Sequence, residues 1–174
     1  LQQRIKEDEK ALETMMSATD AQQHVQSIAG MGPILAAVVV NEIDDISRFQ
    51  SAQKLCGYIG LCPSTASSGG KTYNGKLIKH CNKWLRWAFV EAAWVAMGCD
   101  SYFGDLYQKK RAAGKKANTA ILCVARRMAR IAWQLLTEGR DYQKIPPAQV
   151  AKPKKTARPK QTFPSRSNCT LVGC

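Results

Sequence analysis

The sequence predicts an all-α fold, a compact helical domain with one exposed Ser-Gly loop. Two long stretches, from about Asn82 to Ala96 and from about Asn118 to Thr137, repeat apolar residues at helical spacing. Hydrophobic residues make up 45% of 174, enough to build a core. Turn-rich composition is concentrated in the single stretch from Ser64 to Gly75.

Taken in order, residues 1 to about 19 place Leu1, Ile5, Leu12 and Met15 on one side of an amphipathic helix. Asp8 interrupts the stripe, and two heptads do not define a coiled coil. The segment fits a dimerisation stalk and a helix packed on its own domain equally well. In "SIAGMGPILAAVVVNEI", residues 27–43, Gly30-Met31-Gly32 forms a tight turn and Pro33 suits the first turn of a helix. This pattern is similar to the hairpin of helix-hairpin-helix modules, in which Gly30 and Gly32 would let backbone N–H groups meet a DNA phosphate. It fits a Gly-rich connector that only packs to the same degree.

A short helix capped by Ser51 follows and ends before Pro63. The Ser64–Gly75 stretch is an exposed loop or weak hairpin, with Asn74-Gly75 as the turn signal. From about Asn82, Leu85, Ala88, Phe89, Ala92, Ala93 and Ala96 form a stripe, and Trp84, Trp87 and Trp94 lie outside it. Tryptophans at helical spacing are more often core than base-stacking groups. Asp100-Ser101 opens a further helix that ends at Gly114. The last helix has Ile121, Val124, Ala125, Met128, Ala132 and Leu135 inside and Arg126, Arg127 and Arg130 largely outside. That arginine cluster is either a solvated face or a phosphate rail; Lys115 and Lys116 at the helix start favour the rail. The Pro- and Lys-rich tail beyond Pro146-Pro147 predicts disorder and added nonspecific DNA affinity.

Net charge is +13, unevenly spread. Residues 1–53 hold 4 basic and 8 acidic groups, whereas residues 54–130 hold 14 and 3. A basic block of this kind favours a nucleic-acid partner over a merely solubilising surface. Seven cysteines without a C-x-x-C pair argue against a disulfide scaffold or zinc ribbon and fit a reducing, cytoplasmic setting. His24 and His80 are too few for a metal cage, so no metal is expected in this chain; His80 reads as a surface group. No apolar run is long enough for a membrane span, and no signal-peptide pattern appears at the start of the given sequence. The chain opens at Leu1 directly on a helical pattern, as expected for a piece of a longer protein.

The stretch "SSGGKTYNGKLIKHCNKWLR", residues 67–86, puts hydroxyls on a Gly-rich turn beside five cations. A serine there can approach a phosphodiester, and Lys71, Lys76, Lys79 and Arg86 can offset the charge of a five-coordinate phosphorus. Ser-Gly pairs also fill ordinary loops, and no Ser-His-Asp arrangement is visible.

The succession "GMGPILAAVVVNEIDDISRFQSAQKLCGYIGLCPS", "SSGGK", "IKHCNKWLRWAFVEAAW" and "ARRMARIAWQLL" strongly resembles the C-terminal domain of DEDD-type insertion-sequence transposases. These are the Piv-related, bridge-RNA-guided recombinases, and the resemblance covers residues 27 to about 142. It implies that a serine in the Ser-Gly motif attacks a DNA phosphodiester and forms a covalent phosphoserine. Ser68 matches that position best, with Ser67 as the near rival. It further implies a RuvC-like domain with acidic Mg²⁺ ligands elsewhere in the protein, DNA as substrate, a guide RNA, a homo-oligomer and a place at the nucleoid. The 174-residue chain alone would then be inactive. Where the family usually reads Lys-x-Gly-Asn, this chain reads Lys79-His80-Cys81-Asn82.

The resulting division is a linker helix at 1–26, a catalytic-serine domain at 27–145 and a basic tail at 146–174. Two other function classes fit the same residues: a non-enzymatic DNA-binding module and a helical oligomerisation domain.

Overall fold

The computed structural model describes residues 2–15, 19–68 and 71–143. Among them it contains seven α-helices and one two-stranded sheet, in agreement with the predicted all-α class. The basic tail and the Gly69-Gly70 pair lie outside the described residues.

Helix α1 spans Gln2–Met15, where Ile5 is half exposed. Helix α2, Asp20–Gln26, falls within the expected 1–26 linker helix but was not foreseen as a separate element: its sequence DAQQHVQ is polar, and only Gln22 and Val25 are buried. It packs against helix α3, Pro33–Ile43, and joins it through the Gly30-Met31-Gly32 turn. Gly30 has φ +82°, and a Cβ there would lie 2.5 Å from the carbonyl oxygen of Ala92. Only glycine permits both that backbone and that approach.

A short 3-10 turn at Ile46–Arg48 leads to helix α4, Ala52–Ile59. Ser51 caps α4 by accepting from the Lys54 N–H, as the sequence predicts. Strands β1, Pro63–Ser68, and β2, Lys71–Leu77, then form an antiparallel hairpin. Ser68 pairs with Lys71, which leaves Gly69-Gly70 between the paired ends. The connection is therefore not at Asn74-Gly75. That dipeptide sits inside β2, where the register shifts between Pro63 and Thr65 and a Cβ on Gly75 would meet Ser64 Oγ at 2.5 Å. Its glycine serves a bulge and a close approach instead of a turn.

Helices α5, Lys83–Cys99, α6, Ser101–Ala112, and α7, Ala117–Glu138, complete the fold. Asn82 caps α5 by accepting from the N–H groups of Trp84 and Leu85, and Asp100 caps α6 through Tyr102. The inner faces of α5 and α7 are built from alanines interleaved with Leu85, Phe89, Val124 and Met128, all fully buried. Small residues let the two helices approach closely, while the large ones fill the layer between them. Helix α7 packs on α2, α4, α5 and α6, and α5 packs on α3, α6 and α7.

The three tryptophans of α5 are not core. Trp84 is 65% exposed, Trp87 45% and Trp94 39%. The six stripe residues of α5 face α3 and α7, so the opposite face of the helix is left to the tryptophans.

Candidate functional site

The hairpin β1–β2 carries the Ser67-Ser68 pair at its far end. Ser67 stands opposite Thr72 and Ser68 opposite Lys71 in the register. The base of the hairpin is closed by bonds between its two arms and joined to α4 by one further bond. Ser64 Oγ donates to the carbonyl of Lys76 at 3.0 Å, the Ile78 N–H donates to Cys62, and the Asn82 N–H donates to Tyr58 at 3.0 Å.

Arg86 is the main anchor. Its guanidinium donates to the carbonyls of Ile59 at 3.4 Å and Gly60 at 2.8 Å, and also to Ile78. One cation thus joins the end of α4, the exit of the hairpin and the start of α5. It can satisfy several carbonyls because its donors are arranged in a fork. Gly60, at φ +76°, closes α4 beside it; a Cβ there would lie 2.5 Å from Cys81 Cβ and 2.1 Å from the Arg86 guanidinium. Cys81 is therefore packed against a position that must itself be glycine. Helix α5 still begins at its asparagine cap.

Asn82 ties three helices together, a role not foreseen beyond its place at the helix start. Its Nδ2 donates to Glu42 Oε2 at 2.6 Å and to Tyr58 Oη at 3.5 Å while its Oδ1 caps α5. The Asn ahead of a Leu-Arg pair was the available signal.

The arginines of α7 divide. Arg126 donates Nε to the Leu61 carbonyl at 3.0 Å and adds a second bond to the same oxygen. Arg127 donates to Tyr102 Oη at 2.6 Å and lies over that ring. Both have partners within the fold that a purely phosphate-facing rail did not anticipate. Arg130 is exposed. Beneath α7 the Cys56 thiol is buried, and burial pushes its pKa up, with Cys62 adding to the rise and Arg130 and Arg126 opposing it.

Lys76, Lys79, His80 and Lys83 are all exposed between the hairpin base and the start of α5. Gly32 starts α3 without a side-chain cap and has open space around it, whereas Gly30 is committed to packing on α5. Among the described residues, no group of three or more His, Cys, Asp or Glu is placed to hold a metal ion. No described helix is long and apolar enough to cross a membrane.

Comparison with known proteins shows the family of the chain. A family model described as "Transposase IS116/IS110/IS902 family" matches residues 22–108, from within α2 into α6. The chain is 33% identical over 147 residues to an insertion element IS116 protein of 44.8 kDa from Streptomyces clavuligerus, covering 84% of this chain and 37% of that protein. It is 30% identical over 151 residues to the IS110 protein of 43.6 kDa from Streptomyces coelicolor, again covering 84% and 37%. A transposase for insertion sequence element IS1111A from Coxiella burnetii is 30% identical over 138 residues, 78% of this chain and 38% of that protein. The chain thus spans well under half the length of these curated relatives. With half of its residues matched by the family model, the chain belongs to the IS116/IS110/IS902 transposase family.

Proposed function

We propose that this chain is the catalytic-serine part of a DNA transposase, with Ser68 as the nucleophile and Ser67 as its rival. The observation that carries the reading is the pairing of the hairpin itself, Ser67 opposite Thr72 and Ser68 opposite Lys71. In a helical domain of a transposase family, the one sheet among the described residues has the Ser-Ser-Gly-Gly-Lys sequence at its far end. Exposed cations stand at its base.

In the proposed step, Ser68 Oγ loses its proton and attacks phosphorus, forming a P–Oγ bond. One P–O bond to the DNA strand breaks, and the departing oxygen leaves as a hydroxyl. The phosphodiester is exchanged for a phosphoserine ester, so a second strand can reverse the step without an external energy source. Lys71, Lys76 and Lys79 would stabilise the charge that builds on phosphorus. Arg86 supports them by holding the hairpin base in place, and Gly32 and Arg130 are the further backbone and side-chain contacts proposed for DNA phosphate. Mg²⁺, held by an acidic RuvC-like part outside these residues, would activate the reacting oxygens when bound. The described residues offer no ligand cluster for it. Guide RNA and oligomeric partners belong to the same family-based proposal.

The test uses the longest natural polypeptide that contains residues 1–174, with labelled DNA and denaturing electrophoresis to detect covalent adducts. Ser68→Ala should abolish the adduct and Ser67→Ala should retain it. An adduct at wild-type level from Ser68→Ala removes that residue from the role. DNA binding without an adduct from the wild type favours a non-enzymatic binding module.

A further inference from the structure

We propose that Trp84 and Trp87 form a stacking platform for unpaired bases of a single nucleic-acid strand lying beside the serine hairpin. The two rings sit edge to face at 6.5 Å between centroids, with an interplanar angle of 88°. They lie on the outer face of the first two turns of α5, where Trp84 leaves two thirds of its surface in solvent. Two large aromatic groups held in water at this exposure mark an interaction surface.

The charge around them selects the partner. Lys83 immediately precedes Trp84 and is four residues before Trp87, which places it on the same face. Lys76, Lys79 and His80 are exposed along the link from the hairpin, and no acidic residue occurs in the sequence between Asp45 and Glu91. Flat π-faces joined to a cationic surface fit unpaired bases on a phosphate backbone. A duplex hides its base faces, and a second copy of this chain would bring like charge onto Lys83. The platform ends at Glu91, which is exposed one turn beyond Trp87. Trp94 belongs to a different contact, with its ring 6.3 Å from that of Tyr107 on α6.

The inference rests on the transposase reading only for the source of the strand, since strand exchange by this domain would expose unpaired bases. Its test is independent of catalysis. The whole chain is titrated against labelled oligothymidylate of about 12 nucleotides and against a duplex of the same length, at one salt concentration. Trp84→Ala should weaken oligothymidylate binding by about 5- to 150-fold and leave duplex binding within about twofold. Trp84→Phe should restore most of the loss, and Trp94→Ala should resemble the wild type. Circular dichroism reports whether each variant is folded, and Trp84→Phe carries the test if Trp84→Ala is not. The serine reading is tested by the covalent-adduct assay, which this titration does not use, so the two can fail separately. Equal losses on single strand and duplex, or no loss on the single strand, overturn the proposal. So does wild-type self-association that Trp84→Ala abolishes, which would assign the face to a second copy.

Discussion

Asn82 Nδ2 donates to Glu42 Oε2 across 2.6 Å, joining the start of α5 to the end of α3. The same side chain caps α5 through its oxygen. Asn82→Ala should therefore remove a cap and leave the Glu42 carboxylate without this donor, at a cost of about 1–3 kcal/mol. Asn82→Ser should restore the cap alone and recover part of that stability. Denaturant unfolding of both variants measures the difference.

Gly30 and Gly32 are two residues apart but face different constraints. Gly30→Ala forces a Cβ to 2.5 Å from the Ala92 carbonyl at a positive φ, and should destabilise by more than about 2 kcal/mol. Gly32→Ala meets open space and should cost about 1 kcal/mol or less, through the weaker cap. Thermal unfolding separates the two; comparable losses would contradict the packing role assigned to Gly30.

The basic groups should sort by their partners. Lys76→Ala and Lys79→Ala are expected to leave stability unchanged, weaken DNA binding and each reduce the salt slope by about 1. Arg126→Met should instead cost about 1–3 kcal/mol of stability, because the Leu61 carbonyl loses a charged donor. Binding titrations at several salt concentrations, with unfolding curves alongside, check both halves.

Burial raises the Cys56 thiol pKa, so its neutral form is favoured in the folded state. The associated stability is fully present below the ordinary thiol pKa. It is lost as pH rises from there through the raised folded value, because the unfolded chain ionises first. Wild-type stability should fall as pH rises past the ordinary thiol range, and Cys56→Ala should flatten that slope. Unfolding midpoints across this range test the sign.

The long helices and their caps were legible because their signals are local. The stripe of Leu85, Ala88, Phe89 and Ala92 and the caps at Ser51, Asn82 and Asp100 are each read within a few residues. Helix α2 was not, since its stability comes from Val25 and Gln22 packing on distant elements rather than from its own pattern. Asn74-Gly75 misled for a related reason: the pairing of Ser68 with Lys71 uses that glycine at a bulge beside Ser64. The arginines show where periodicity stops being informative. Position on α7 places Arg126 at the edge of the core face, but its acceptor, Leu61, is 65 residues away. Only the fold could bring them together. Conversely, the outward placement of Trp84 and Trp87 follows from the stripe; their exposure depends on nothing else covering them.

The most direct test of the central claim is peptide mass spectrometry of the covalent protein–DNA adduct after trypsin and nuclease digestion. Cleavage after Lys54 and Lys71 releases a Leu55–Lys71 peptide that contains both Ser67 and Ser68. Fragmentation is predicted to place the nucleotide phosphate on Ser68. A phosphate on any residue outside Ser67-Ser68, or strand exchange that proceeds without a phosphoserine adduct, would contradict the account.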